Sequence, residues 1–295
     1  MSLYPPFYPP AYPMANPPPL VAERLLVNGV DLGSYTYMTT DVSSLLSVAA
    51  RRGEDVVVAG RHGQIRRGGR CFDAGEIVLP MWVVGANPDG SIPSGGMEQG
   101  FFRRKDQLLQ LFYADEVVLA FRRPDGLELS TRATVAEVMD FTRRHAEPLA
   151  AVSVALTLPD AFWTDTQDVS QSITGVTGTS AELTAFAGST APIADARITF
   201  HGPVSNPQLT IGDRWVRFNG LVAAGRQLVL ECGHWRATSG AGPAWDPSEI
   251  QVYREPGPAW LEIPASYTPL TALFSHSGGG SATVEIAGNR KFLAA

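Results

Sequence analysis

The chain has 295 residues, enough for two domains that each bury a hydrophobic core. Its formal net charge of -6 argues against a protein that grips nucleic acid through its phosphates. The 29 glycines, 23 prolines and a charged fraction of only 18% favour many short strands joined by turns.

The cysteines and the apolar runs indicate in which cellular compartment the protein is made. Cys71 and Cys232 lie far apart, and a secreted disulfide scaffold needs more cysteines in closer clusters. No stretch approaches the apolar length of a membrane span, and the first residues lack the basic and apolar regions of a signal peptide. We therefore expect a protein with free thiols that is made and assembled in a cytoplasm, without a membrane partner.

The first 20 residues differ from the rest of the chain. Met1–Leu20 holds eight prolines, four aromatic residues and no charge. Proline removes backbone donors and fixes φ, so this proline-rich arm is expected to be disordered or polyproline II. A second interpretation, compatible with the first, is that its aromatic residues dock on a neighbouring subunit and order only in an assembly. Those residues are Tyr4, Phe7, Tyr8 and Tyr12.

Residues 21–163 are interpreted as a first domain of strands with one helix. Asn28-Gly29 after an apolar run predicts a hairpin, and Val56–Val58 predicts a short buried strand. Glu76–Val84 (EIVLPMWVV) is apolar at both alternating positions, as in a strand covered on both faces.

One amphipathic helix is predicted around residues 101–113. Its apolar residues recur at offsets of seven and four and are expected to form one core-facing stripe. They are Phe101, Phe102, Leu108, Leu109, Phe112 and Tyr113.

The remainder of the first domain is predicted to be β. Val117–Phe121 forms a strand, followed by turn residues Pro124-Asp125-Gly126. Thr131–Phe141 fits either a helix or a strand by its periodicity, and its β-branched residues favour the strand. Val152–Leu158 alternates cleanly and closes the domain.

Residues 164–194 are rich in small polar residues and are interpreted as a connection between domains, in which Glu182–Phe186 is the candidate for a first strand of the second domain. From residue 195 to 295, short alternating runs separated by turn signals predict a β-sandwich. The whole chain is thus expected to be mainly β, with two domains.

No sequence motif for phosphate binding, dinucleotide binding, zinc proteolysis or serine hydrolysis is present, so we expect no catalytic, metal or cofactor site. Cys232-x-His234 is the one pair near metal-ligand spacing, and the preferred interpretation has Cys232 facing the core. Asp160 and Asp165 are interpreted as a solvated loop end rather than an acid/base pair.

Six arginines lie between residues 51 and 70, offset by Glu54 and Asp55. A solvated loop and a protein–protein contact are equally compatible with them, and a DNA contact is less so in an acidic chain. Within this segment, Arg61, Arg66 and Arg67 are the candidate subunit-interface residues.

Aromatic residues in the second domain allow a further interpretation. Aromatic side chains in sandwich loops stack on sugar rings in many carbohydrate-binding modules, and they also cover small cores. The residues concerned are Trp235, Trp245, Tyr253 and Trp260.

The order of several short motifs resembles the distal tail proteins of siphophages. LLVNGVDL at residues 25–32, VVAGRHGQ at 57–64 and EIVLPMWVVG at 76–85 resemble the N-terminal domain of that family. LPDAFW at 158–163 is similar to a junction motif in minor tail proteins of actinobacterial phages, and GSTAPI at 188–193 and GPVSNP at 202–207 resemble the family's C-terminal domain.

This resemblance implies a structural virion protein and not an enzyme. It implies a tail-tube-like first domain, a galectin-like second domain, and a hexameric ring at the tail tip that joins the tail tube to the tip or baseplate. The implied partners are the tail tube protein, the tape-measure protein and the tail-hub or tip proteins, and genome DNA passes through the channel without specific binding. The alternative function is a host-glycan-binding module used in adsorption.

Overall fold

The computed structural model describes residues 23–50, 72–137, 140–143, 147–239, 249–252 and 259–295, and the backbone of residues 55–57 and 64–66. These residues form two compact units. The first holds residues 23–50, 73–163 and 294–295, and the second holds 164–293 together with the described part of 51–72. Both are built mainly from strands, which confirms the predicted fold class. The proline-rich arm and Cys71 lie outside the described residues.

The described residues up to 158 form ten strands, one α-helix and a short 3-10 helix at Ser43–Leu46. The strands and the α-helix are β1 (Arg24–Val27), β2 (Val30–Asp31), β3 (Tyr37–Thr39), β4 (Asp55–Val57), β5 (Gln64–Arg66), β6 (Gly75–Val84), α1 (Gly96–Phe112), β7 (Val117–Arg122), β8 (Glu128–Val135), β9 (Asp140–Thr142) and β10 (Leu149–Leu158).

The later elements are strands and short 3-10 turns. The strands are β11 (Trp163–Gly175), β12 (Thr179–Leu183), β13 (Arg197–His201), β14 (Val204–Ile211), β15 (Arg214–Phe218), β16 (Leu221–Val222), β17 (Gln227–Glu231), β18 (Arg236–Thr238), β19 (Ile250–Val252), β20 (Leu270–Ser277) and β21 (Ala282–Phe292).

The long antiparallel pair β6–β10 forms the centre of the first unit. It is in register over ten residue pairs, from Gly75↔Leu158 to Val84↔Leu149. β3 pairs with the other edge of β6, while β10 also pairs with β9 and with the end of β8. β8 pairs with β7, and β7 pairs with β1, so the sheet continues to the first strand.

The turns predicted in the first unit are present. Asn28 and Gly29 have φ of 48° and 80° and join β1 to β2 in register Val27↔Val30, as in a type I′ hairpin. Gly126 has φ of 88°, and the Leu127 N–H donates to Asp125 Oδ1 at 3.1 Å. The strand interpretation of Thr131–Phe141 is confirmed for residues 131–135 and 140–141, which lie in β8 and β9.

Helix α1 packs on the end of β6 through two glycines. A Cβ added at Gly85 would collide with the Met97 carbonyl oxygen, and one at Gly100 would collide with the Gly85 carbonyl oxygen. The missing side chains therefore let the two backbones approach closely. Phe101, Leu108 and Phe112 are buried on this side of the helix.

The predicted single stripe of α1 is wrong in part. Phe102, Leu109 and Tyr113 are 46%, 38% and 90% exposed, whereas Phe101, Leu108 and Phe112 are buried. Both sets share the spacing i, i+7, i+11, so they are two parallel stripes about 100° apart on the helix. A wide apolar face cannot be buried entirely against the narrow contact that Gly85 and Gly100 permit.

The second unit packs two sheets against each other, as in a β-sandwich. One sheet has the order β18-β17-β13-β21-β11, and the other has the order β12-β20-β14-β15-β19 with β16 beside β14. Phe200 on β13 stacks on Phe274 on β20 with ring centroids 6.1 Å apart, which joins the two layers. Alternate residues of both sheets fill the core between them.

Residues 164–194, which we interpreted from the sequence as a connection, hold two strands of the second unit. They form most of β11 and all of β12 and belong to the second unit. After Trp163, only Asp165 and Ile173 of β11 are buried, and the residues between them are polar except for the half-buried Val169. A strand that buries so few apolar side chains lacks the alternating hydrophobic signal from which strands are predicted.

The division of α1 into a buried and an exposed stripe yields a stability prediction. Phe101→Ala should lower the free energy of unfolding of the first unit by about 3–5 kcal/mol, because it leaves a cavity in the core. Phe102→Ala, the neighbouring residue on the exposed stripe, is the matched control and should cost less than about 1 kcal/mol. Urea unfolding followed by circular dichroism measures both, and equal losses would contradict the assignment.

Candidate subunit-contact surface

The outward side of β6 carries apolar residues that the described part of the first unit covers only partly. Ile77, Leu79, Met81 and Val83 point into the core. Val78 lies on the opposite side and is 47% exposed, with Pro80 and Trp82 half-buried beside it. The strand is apolar on both faces in composition, as predicted, but the described residues fully bury only the inward face.

The same side of β10 supplies small residues opposite those of β6. The register pairs Val78 with Ala155, Pro80 with Ser153 and Trp82 with Ala151. Facing residues of an antiparallel pair lie on the same side of the sheet. We call these residues, which carry no charge themselves, the β6 outer face: Val78, Pro80, Trp82, Ala151, Ser153 and Ala155. The exposed Glu76 and Asp140 border it on the same side of the sheet.

The segment after β3 adds exposed apolar side chains next to this strand. The Ser44 hydroxyl donates to the Val78 carbonyl oxygen at 2.7 Å and fastens the segment to the edge of β6. Leu46 and Val48, which follow Ser44, are 57% and 52% exposed. The pattern of the sequence did not single out these two residues, because they lie outside any periodic run.

The outer face has the chemistry of a protein–protein contact. Uncharged, closely spaced apolar groups lose free energy to water and regain it when a matching surface covers them. Its small alanines and serine allow another backbone or side chain to approach closely. The geometry of the described residues therefore suits packing against another protein surface.

The structure describes only part of the predicted arginine cluster. Arg61 and Arg67 lie outside the described residues. Arg66 ends β5, where its backbone pairs with Asp55 of β4, and its side chain is not described. The assignment of these three arginines to a subunit interface stays a prediction. The hairpin of β4 and β5 is grouped with the second unit and not with the first.

Asp160 and Asp165 do not form a solvated pair. Asp160 is exposed, but Asp165 is only 1% exposed and accepts hydrogen bonds from Arg290 Nε and Nη2 at 2.9 and 2.6 Å. Its other oxygen accepts from the Gln167 N–H at 2.9 Å. The interpretation of Asp165 as part of a loop end is therefore wrong: the carboxylate is a buried partner that fixes β11 to β21.

Cys232 faces the core, as predicted. Its side chain is buried, and burial raises the pKa of the thiol to about 12. His234 lies two residues further on and is exposed. Among the described residues no group of three or more metal-ligating side chains converges. The same part of the chain contains no helix that is long and apolar enough to cross a membrane.

The aromatic residues of the second unit separate into two environments. Trp260 is buried, and Trp235 is 46% exposed with its ring centroid 6.3 Å from that of Trp260. Trp235 has φ of 52° and ψ of 42°, a left-handed conformation that is rare for a bulky residue. Trp245 and Tyr253 lie outside the described residues.

The fold is similar to that of a known protein, although the sequence is not. No protein-family model matches the chain, and no curated protein matches its sequence. Among solved structures it is similar to the Dit protein of phage SPP1, described as a paradigm of the hub adsorption apparatus in phages that infect Gram-positive bacteria. The TM-score is 0.61 at 14% identity, over 91% of this chain and 99% of that one.

A weaker similarity is to the baseplate of phage p2 in its activated conformation with strontium, with a TM-score of 0.36 and 8% identity over 90% of this chain and 98% of that one. The SPP1 match shows that the chain has the fold of a phage Dit protein over most of its length.

The buried thiol gives a chemical prediction. In a Cys71→Ser variant, Cys232 should not react with a thiol reagent near neutral pH, because the thiolate is the reactive form and a pKa of about 12 leaves almost none. Unfolding in guanidinium chloride should restore full reactivity. Rapid labelling of the folded variant would contradict the buried placement, and the wild-type chain provides the comparison.

Proposed function

We propose that the protein is a structural component of a siphophage virion that forms a hexameric ring at the distal end of the tail. The ring joins the tail tube to the tip or baseplate and has no enzymatic role. The observation that supports this most is the fold similarity to the SPP1 Dit protein, which extends over both units. The LPDAFW motif at residues 158–163 supports the actinobacterial-phage type within that class.

The β6 outer face supplies a contact for such a ring. An apolar surface on one subunit that packs on a different surface of the next subunit makes a head-to-tail contact, and repeated contacts of this kind close into a ring when the rotation allows. Val78 and Trp82 are the largest side chains that this contact would cover. Arg61, Arg66 and Arg67 are proposed to pair with carboxylates of a neighbouring subunit.

The proposed partners follow from the position in the tail. The tail tube protein lies on one side of the ring, the hub or tip proteins lie on the other, and the tape-measure protein and the genome occupy the channel. Each chain carries a net formal charge of -6. Negative charge repels the DNA phosphates, so DNA moves past without binding specifically.

The ring proposal predicts a defined assembly and a variant that disrupts it. At high concentration the purified protein should approach a mass of about 190 kDa, six times that of one chain. Val78→Glu should lower the hexamer fraction at least about tenfold, because it buries an unpaired charge in the contact. Val118→Glu is the matched control: Val118 is 45% exposed on β7, away from the β6 outer face, and its change should leave the assembly intact.

Analytical ultracentrifugation and negative-stain electron microscopy measure this assembly, and circular dichroism confirms that both variants fold. A stable oligomer with a symmetry unrelated to three or six would contradict the ring. An equal effect of the two variants would contradict the assignment of the contact to the β6 outer face.

A second candidate function is recognition of a host glycan by the second unit. The observation that favours this function is Trp235, because its ring is half exposed while its backbone adopts a strained conformation. Strain of this kind persists where the surrounding structure imposes it, and it clusters at binding sites. The Trp235 N–H donates to the Cys232 carbonyl oxygen at 3.4 Å, and the Trp260 N–H donates to the same oxygen at 3.2 Å.

The glycan alternative predicts saturable binding that depends on Trp235. If it holds, the full chain binds at least one bacterial cell-wall saccharide on a glycan array, and Trp235→Ala weakens binding at least about tenfold by removing the stacking surface. Tyr267→Ala, at another exposed aromatic residue, is the control and should bind normally. Absence of binding across cell-wall saccharides of Gram-positive bacteria would contradict this function without affecting the ring.

A further inference from the structure

The exposed stripe of α1 is a second apolar surface in the first unit, apart from the β6 outer face. We call it the helix stripe: Phe102, Leu109 and Tyr113. These residues lie within about 40° of one another around the helix and extend over about 16 Å along its axis. The set holds two aromatic rings and a leucine, 46%, 90% and 38% exposed in the order Phe102, Tyr113, Leu109. The exposed Asp106 lies between Phe102 and Leu109 on the same side of the helix, and its carboxylate pairs with Lys105 Nζ at 3.2 Å.

One end of the helix stripe is held in a fixed arrangement. The Arg143 guanidinium lies 4.5 Å from the Phe101 ring centroid and 5.0 Å from that of Phe102. Arg143 itself donates to Glu98 Oε1 at 2.6 Å and to the Glu147 carbonyl oxygen at 2.7 Å. Phe102 is therefore presented on a rigid support, which lowers the entropic cost of binding a ligand.

The borders of the helix stripe are rich in hydrogen-bond donors. Arg103 and Gln110 are exposed on α1, and Lys105 lies with Nζ 5.9 Å from the Phe102 ring centroid. A suitable ligand thus has apolar or aromatic groups to pack on the rings and carbonyl oxygens to accept from these side chains.

The proline-rich arm has this chemistry. Its eight prolines contribute carbonyl oxygens but no N–H groups, and it carries no charge. Its centre reads Tyr4-Pro-Pro-Phe-Tyr-Pro-Pro-Ala-Tyr12, so aromatic residues recur beside proline pairs. Polyproline II advances about 3.1 Å per residue, so the five steps from Phe7 to Tyr12 cover about 16 Å, the length of the helix stripe.

The arm is also within reach. It ends at Leu20, four residues before β1 begins at Arg24, and β1 pairs with β7, the strand that follows α1 in the chain. Twenty residues of polyproline II extend to about 60 Å, several times the length of β7. Reach therefore does not limit docking on the same copy or on a neighbouring one.

We propose that the proline-rich arm, Met1–Leu20, docks on the helix stripe, with its aromatic residues packed against Phe102, Leu109 and Tyr113. Proline-rich segments bind aromatic-lined surfaces in this manner because little conformational entropy is lost. The docking does not depend on a ring or on a role in a phage tail. In an assembly the arm of one subunit would then fasten to α1 of another.

Disulfide cross-linking in the full chain tests the docking. In a Cys71→Ser background, Tyr8→Cys combined with Leu109→Cys should form a disulfide under mild oxidation. Tyr8→Cys combined with Gln107→Cys is the control, since Gln107 is equally accessible but lies about 200° around the helix from Leu109. We expect at least about tenfold more cross-linked product for position 109 than for position 107.

The cross-linked products show whether the proline-rich arm or a second copy of the helix stripe covers this surface. A cross-link between positions 8 and 109, within one chain or between two, supports the proposal, and its mass shows which copy donates the arm. Equal yields at positions 107 and 109 would overturn it. A 109–109 dimer formed as efficiently by Leu109→Cys alone would also overturn it, because the helix stripe would then pack on a second copy of itself.

A peptide measurement checks the same contact without cysteines. A synthetic peptide of residues 1–20 should bind a chain that lacks them, and a peptide of the same composition in scrambled order should bind at least about tenfold more weakly. Phe102→Glu with Leu109→Glu should weaken binding of the native peptide by a similar factor, while the melting temperature of the variant stays unchanged. Equal binding of both peptides, or no effect of the glutamates, would contradict the proposal.

Discussion

The antiparallel ladder between β6 and β10 determines how the first unit is built. Ten paired positions fix which side chains of both strands enter the core, since a shift of one residue would turn every side chain to the other face. The ladder ends beside Gly85, where α1 can approach because neither Gly85 nor Gly100 has a side chain. The same register leaves Val78, Pro80 and Trp82 on the outward side, so core packing and the contact surface have one common origin.

The first unit therefore uses its two sides differently. Leucine, valine, isoleucine and methionine fill the inward side, and the outward side carries small residues and a few apolar ones that the described residues cover only partly. Closing such a face by another surface adds hydrophobic stabilisation of about 25 cal/mol for each Å² covered. In the second unit the two sheets cover one another, and the buried pair of Asp165 and Arg290 ties its first long strand to its last.

Local chemistry made part of this structure predictable from the sequence. The Asn28-Gly29 hairpin and the Pro124–Gly126 turn follow from backbone preferences that depend on few neighbours. The inward placement of Cys232 follows from strand alternation. The exposure of Phe102 does not, because the sequence shows a wide apolar helix face but not how much of it the glycine contact can cover. β11 was missed because its strand buries an ion pair where hydrophobic residues are expected.

The central claim is that this chain forms the ring at the distal end of a phage tail. Cryo-electron microscopy of intact tails from a phage that encodes it tests the claim most directly. The account predicts six copies around the tail axis below the last tube ring, with Val78 and Trp82 of each first unit covered by the neighbouring subunit. Tails in which this chain is absent, or present in a number unrelated to three or six, would contradict it.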